Sequence, residues 1–239
     1  MLNIKIITLF PDMFPGPLGA SILGAAHNKN LWKLEVFNLR KFANNKHNKV
    51  DDEPYGGGNG MVIKPDVMAD AIEAAASGKP ENYQIFYPSP RGELLTQKKI
   101  VEFAKYNNMM FVSGRYEGLD QRVIDHYNIS LFSIGDYILT GGEIAIYAFL
   151  DSFIRTLPGV LGNPASIEEE SFAVGSDYEN LLEYPLYTRP ASWQSREVPE
   201  ELLSGNHKKI ADWRLKMSEN HTQIVRPDLW NKYLKNKGK

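Results

Sequence analysis

Short runs of consecutive apolar residues alternate along this chain with stretches whose apolar positions recur every three or four residues. Leu2–Phe10 is a strand-like run, and Leu18, Ile22, Leu23 and Ala26 then follow at helical spacing. Leu34–Leu39 reads as a short strand. Pro65 stands where a helix tolerates proline, at its first turn, with Val67, Met68, Ala71, Ile72 and Ala75 on one face. Tyr83–Tyr87 predicts a strand that stops at Pro88-Ser89-Pro90-Arg91-Gly92, and Thr96 caps a helix carrying Ile100, Val101 and Ala104. Two further strand-like runs, Met109–Val112 and Ile129–Ile134, precede a long apolar helix from Glu143 to about Leu157, closed by Pro158-Gly159. Alternation of this kind predicts an α/β fold with a mostly parallel sheet and helices on both faces.

The pattern changes after residue 162. Gly162 to Asp177 is rich in Gly, Ser and Glu, and reads as a linker that is mobile without a ligand. From Asn180 onward, short helical stretches are separated by Pro185, Pro190, Pro199, Gly205 and Pro227. The expected organisation is an α/β domain over 1–162, a flexible linker over 163–178 and a small all-helical domain over 179–239.

Composition narrows the class. With 43% hydrophobic and 23% charged residues the chain is ordinary globular material, and it has no cysteine, which excludes disulfides, thiolate zinc sites and cysteine nucleophiles. No run approaches the roughly 18 apolar residues that span a bilayer. The first residues lack the basic and small-residue features of a signal peptide. A soluble cytoplasmic protein is the expectation. The net charge of −2 conceals an asymmetry: Gly205–Lys239 holds nine basic residues against three acidic ones, a balance of +6 that leaves −8 elsewhere. A basic end on an acidic protein points to a polyanionic partner, although Lys235–Lys239 taken alone is an ordinary solvated tail.

The candidate chemistry lies in two glycine-bracketed loops that follow the last two strand runs, Ser113-Gly114-Arg115-Tyr116-Glu117-Gly118 and Gly135-Asp136-Tyr137-Ile138-Leu139-Thr140-Gly141-Gly142-Glu143. Ligands of open α/β sheets bind beyond the carboxyl ends of the strands, and glycine there lets the backbone come close. Neither a Gly-x-x-x-x-Gly-Lys-Ser/Thr nor a strand-linked Gly-x-Gly-x-x-Gly is present. The glycine-dense Tyr55–Gly60 follows Asp51-Asp52-Glu53, whose carboxylates repel phosphate. A second reading is a pocket for a nucleoside-like ligand. Tyr87, Pro88, Tyr116, Ile134, Tyr137, Ile138 and Leu139 offer apolar faces, Gly114, Gly135, Gly141 and Gly142 offer backbone groups, and Glu117 can face a positive centre. A third is a non-catalytic RNA-binding protein working through its basic end, which leaves the loops without a role. Glu168-Glu169-Glu170 reads either as a solvated run or as the source of a general base. Arg155, ending an otherwise apolar helix, reads as a surface ion pair or as a fixed cation for an oxyanion. His47, beside Asp51, and His207 are candidates for RNA contact, whereas His27, His126 and His221 suggest no partner. No His/Asp/Glu spacing marks a transition-metal site.

These residues resemble one family. Gly114-Arg115-Tyr116-Glu117-Gly118, Ser133-Ile134-Gly135-Asp136-Tyr137 and Gly141-Gly142-Glu143 look like the signature of bacterial tRNA (guanine-N1)-methyltransferases of the TrmD type. The match runs in order through Leu9-Phe10-Pro11, Val50-Asp51-Asp52, Pro54-Tyr55-Gly56-Gly57-Gly58, Pro158–Gly162, Tyr187-Thr188-Arg189-Pro190, Leu203–His207 and Trp213-Arg214. The resemblance implies a SPOUT fold with a deep trefoil knot. It implies a homodimer with active sites at the subunit interface, and methyl transfer from S-adenosylmethionine to N1 of the guanine 3′ of the tRNA anticodon. It also implies dependence on magnesium, with no ligand for it marked in this sequence. By resemblance the donor is held by Tyr87, Pro88, Ser89, Pro90, Gly114, Tyr116, Glu117, Gly118, Ile134, Gly135, Tyr137, Ile138, Leu139, Gly141 and Gly142. Arg155 matches the family's catalytic arginine. The family's base is an aspartate directly before Ser-Phe; here that place is taken by Glu170, with Glu169 as next candidate. His47, Asp51, Lys208, Lys209, Arg214 and Lys216 are the expected RNA contacts.

Overall fold

In a computed structural model of the protein, residues 1–163, 167 and 169–238 are described; Glu168 and Lys239 of the charge reading lie outside them. The chain divides into two compact units, 1–162 and 163–239.

The first unit contains β1 (Leu2–Thr8), α1 (Ser21–Asn28), β2 (Trp32–Asn38), the short β3 (Asp51–Asp52) and β4 (Val62–Ile63), and α2 (Pro65–Ala76). It continues with β5 (Gln84–Leu94), α3 (Gln97–Glu102), β6 (Asn108–Val112), α4 (Gln121–His126), β7 (Ser130–Ser133) and α5 (Glu143–Ile154). Five strands form one sheet in the order β2-β1-β6-β5-β7, every pairing parallel. The central strands are nearly continuous apolar runs because both of their faces are covered. On one face Ile7, Met110, Val112 and Ile85 pack with Val67, Met68, Ala71 and Ile72 of α2 and Val123 and Ile124 of α4. On the other, Ile4, Ile6, Phe86 and Phe111 pack with Ile146, Phe149, Leu150 and Phe153 of α5. Phe149, fully buried, sits among Phe86, Phe111, Phe132 and Phe103 at ring-centroid distances of 5.0, 4.9, 5.1 and 5.5 Å.

Two boundaries depart from the sequence reading by more than two residues, and the short β3 and β4 have no counterpart in it. β5 does not stop at Tyr87. Pro88 and Glu93 both face Phe132 of β7, so residues 89–92 loop out and the ladder then resumes. Pro90 has no N–H to donate, and the bulge places it outside the ladder, where none is required. α5 ends at Ile154, short of the expected Leu157. There the Thr156 and Leu157 amides donate to Phe153 and Ile154, tightening the last turn.

The second unit contains α6 (Glu200–Leu203), α7 (His207–Val225) and α8 (Pro227–Lys237). It is not purely helical, since β8 (Ser192–Trp193) and β9 (Arg196–Glu197) form an antiparallel ribbon. Its turn residues Gln194 and Ser195 have φ of 49° and 60° without the Asn-Gly or Gly that advertises such a turn. The stretch read as a linker is packed where it is described: Ala173 and Tyr178 are buried in this unit's own core with Tyr184, against Trp213, Leu215 and Met217. The apolar positions of that stretch are few, and two of them supply its buried contacts. Truncating Phe149 to alanine should cost about 3–5 kcal/mol, read as a lowered urea midpoint of the first unit's transition.

Candidate functional site: a cavity at the carboxyl ends of three strands

The bulge of β5 and the loops leaving β6 and β7 close around a cavity of about 290 Å³, at the lower end for small-molecule sites. Tyr87, Pro88, Ser89 and Pro90 line it from β5; Gly114, Tyr116, Glu117 and Gly118 from the loop after β6; Ile134, Gly135, Tyr137, Ile138, Leu139, Gly141 and Gly142 from the loop after β7. Every residue that the resemblance marks for the donor therefore borders one space. Arg91, Arg115, Phe132, Ser133, Thr140 and Ala145 border it as well and were not singled out.

Close backbone approach makes this space. Gly118 has φ of +119°, and a Cβ there would stand 2.7 Å from the Tyr87 hydroxyl oxygen. A Cβ on Gly142 would stand 2.7 Å from Pro88 Cγ and 3.1 Å from Ser113 Oγ, while the Gly142 amide donates to the Gly114 carbonyl at 3.1 Å. The loop after β7 thus runs directly against the loops after β5 and β6, which only glycine permits. Tyr116, half exposed, holds φ of +59°, a conformation that costs a non-glycine residue energy and concentrates at functional sites. Burial pushes the Tyr87 phenol above its ordinary range.

One charged group organises the loops. Glu143, at the first turn of α5, is 1% exposed. Its Oε2 pairs with Arg115 Nη2 at 2.9 Å, and its Oε1 accepts from Thr8 Oγ1 at 2.7 Å. Arg115 Nη1 also donates to the Thr140 carbonyl at 2.8 Å, and the guanidinium lies 4.4 Å from the centroid of the Phe10 ring. The end of β1 and the loops after β6 and β7 meet at this carboxylate. Sequence reading passed over Arg115 and Glu143 because each stands inside a motif as one charge among turn residues; their separation along the chain hides the pairing. Ser113 Oγ and Arg115 Nε are buried without a hydrogen-bond partner.

The remaining predicted residues lie elsewhere. Arg155 caps the far end of α5, whose 12 residues span about 18 Å. Glu170 belongs to the second unit. His47 occupies an exposed loop, where its amide donates to Asn45 Oδ1, and Asp51 pairs with Ile63 across β3 and β4. Lys208 and Lys209 open α7, their amides capped by Asn206 Oδ1 at 3.1 and 3.2 Å. Lys216 stands farther along that helix, and Arg214 is paired with Glu169. Among the described residues no group of three or more His, Cys, Asp or Glu side chains gathers to hold a metal ion, so no residue is assigned to magnesium.

The family model described as tRNA (Guanine-1)-methyltransferase TrmD matches residues 2–232. The chain belongs to this family. Curated relatives named tRNA (guanine-N(1)-)-methyltransferase match it nearly end to end. One from Ruegeria sp. (strain TM1040) is 51% identical over 98% of this chain and 94% of its own. Another, from Rickettsia akari (strain Hartford), is 50% identical over 96% and 97%. A third, from Pelagibacter ubique (strain HTCC1062), is 48% identical over 99% and 100%. In this TrmD family member the cavity, rather than either end of the chain, carries the motifs on which the likeness was first seen.

Two outcomes test the geometry. Glu143→Gln keeps the shape but removes the charge facing Arg115; amide exchange at Gly141 and Gly142 should speed at least about tenfold, the equivalent of losing roughly 1.4 kcal/mol of local stability. In the second unit, burial and then the Glu169 hydrogen bond push the Tyr184 hydroxyl up to about 12. The folded state thus favours the neutral phenol. That contribution is complete below pH 10 and is lost as pH rises from 10 towards 12. Glu169→Gln should move the spectrophotometric titration of Tyr184 downwards.

Proposed function

We infer that this protein transfers the methyl group of S-adenosylmethionine to N1 of the guanine at tRNA position 37, immediately 3′ of the anticodon. The observation that carries this reading is the joining of family motifs from three separate chain segments into one cavity of nucleoside-binding character. A purely RNA-binding role would leave that cavity without a ligand.

The lining fits the donor. Tyr87, Tyr137, Ile138 and Leu139 offer faces to a purine, the glycine loops offer amides and carbonyls to its edge and to a ribose, and Glu117 faces a positive centre. Bound there, S-adenosylmethionine supplies an electrophilic methyl group. The chain supplies the rest. Guanine N1 becomes nucleophilic only as its proton leaves, and the Glu170 carboxylate accepts that proton. Negative charge grows on O6 as this happens, and the Arg155 guanidinium stabilises it where it develops. The base must leave its stack to be reached, at a cost of a few kcal/mol.

Three further features belong to this reading. The loop after β7 passes tightly between the loops after β5 and β6, with Gly142 against Pro88 and Ser113, which supports the SPOUT knot. Arg155 stands a helix length from the start of α5 beside the cavity of its own chain, and Ile138, which lines that cavity, is 80% exposed. Both observations support a homodimer in which one copy brings its arginine to the partner's cavity and the apolar rim is covered. The α7–α8 segment, with Lys208, Lys209 and Lys216, supplies contacts to tRNA phosphates, and His47 and Asp51 contact the RNA from the first unit. Among the described residues no helix is long and apolar enough to cross a membrane, in keeping with work on cytoplasmic tRNA.

Label from methyl-tritiated donor should enter a transcript with guanine 3′ of the anticodon and not one with adenine there; equal labelling of both would refute the assignment. Glu170→Gln should lower the single-turnover rate by about 10²–10⁴-fold without loss of donor binding. Replacing Lys208 and Lys209 with alanine should reduce the slope of log affinity against log salt by about one to two.

A further inference from the structure

By the resemblance, Glu170 stands where the family carries an aspartate, and its neighbours show how its backbone is held. All the contacts involved lie within the second unit. On one side, Glu169 Oε2 accepts from the Tyr184 hydroxyl at 3.1 Å and from Arg214 Nη1 at 2.8 Å. On the other, Ser171 Oγ accepts from the Glu183 amide at 2.8 Å, and the Phe172 amide donates to the Leu181 carbonyl at 3.0 Å. The Glu170 carbonyl accepts from the Ala173 amide at 3.2 Å. Residues flanking Glu170 on both sides are therefore bound to the 181–184 segment, which is itself tied to α7 where the Leu182 amide donates to the buried Thr222 Oγ1 at 2.8 Å.

Arg214 completes this frame from α7. Its guanidinium stacks 4.8 Å from the Tyr184 ring centroid while Nη1 holds Glu169. Its Nε is buried without a hydrogen-bond partner. A phosphate is best gripped by two parallel N–H groups of one guanidinium edge. Here Nε is enclosed and Nη1 is bonded to a carboxylate, so neither edge keeps both of its nitrogens open to a phosphate.

We propose that Arg214 is a positioning residue for methyl transfer, fixing through Glu169 and Tyr184 the backbone that presents Glu170, and is not a tRNA phosphate contact. The inference rests on Glu170 as the base. It also accounts for a glutamate in that place: a side chain one methylene longer needs its backbone anchored more firmly if the carboxylate is to arrive at the same point.

The test is a kinetic set of wild type, Arg214→Ala, Arg214→Lys, Glu169→Gln, Glu170→Gln and the Arg214→Ala/Glu170→Gln double variant. Single-turnover rate, KM for tRNA, the salt slope of tRNA binding and donor affinity are measured for each. Arg214→Ala, which removes the contact, and Glu169→Gln, which removes the charge on its other side, should each slow the chemical step about 10- to 100-fold. KM for tRNA and the salt slope should stay within twofold, with donor affinity and circular dichroism retained. Arg214→Lys, which can still reach Glu169, should recover part of the rate. In the Glu170→Gln background, Arg214→Ala should add no further loss. Arg214→Ala with normal rate, raised KM and a salt slope reduced by about one would identify a phosphate contact and overturn the proposal. Loss of donor affinity or of folded signal in both Arg214→Ala and Glu169→Gln would overturn it in favour of a structural role. If Glu170→Gln is slow and Arg214→Ala is not, the positioning role alone falls; a Glu170→Gln enzyme at full rate removes the base assignment itself.

Discussion

A carboxylate that is 1% exposed cannot remain charged without a partner, and Glu143 has two, Arg115 and Thr8. Burying such a charge costs several kcal/mol unless geometry and hydrogen bonds compensate. The compensation here is spread over three pieces of chain that are distant in sequence: the end of β1, the loop after β6 and the start of α5. Arg115 extends the same point to the Thr140 carbonyl. Removing any one partner strands the others in a dry environment, so the loops that border the cavity are held together or not at all. The cavity's shape depends on this ion pair, whose Arg115 is itself part of the lining.

The ion pair works because the sheet beneath it is rigid. A parallel sheet brings all its carboxyl ends to one edge, and the Phe149 cluster locks α5 against β5, β6 and β7. Loops anchored at those ends inherit the precision of the strands. The bulge in β5 adds a local device, carrying Pro90 out of the ladder while Pro88 to Pro90 border the cavity. Glycine at 118 and 142 then lets three backbones approach more closely than any side chain allows.

The second unit shows the same logic on a smaller scale. A sequence rich in Gly, Ser and Glu has the composition of a tether, yet its described part is fastened to α7 through Glu169 and to the 181–184 segment through Ser171 and Phe172. An acid run that composition marks as solvated divides into roles. Glu169 bonds to Arg214 and Tyr184, while its neighbour Glu170 is presented by the backbone between two anchors. One ion pair organises the cavity in the first unit and another steadies the segment carrying the proposed base in the second.

The amino-acid sequence by itself determined the five strands of the main sheet, their parallel arrangement and the glycine loops, because periodicity and turn chemistry are local and survive being read one segment at a time. Its contiguous motif blocks also marked most of the residues that border the cavity. Only the tertiary structure decided that Arg115 and Glu143 form a pair, that β5 resumes after its prolines, that Ala173 and Tyr178 are core, and that Arg214 turns to Glu169. Each of these depends on a partner many residues away, and neither spacing nor composition encodes which distant groups will meet once water has been excluded between them.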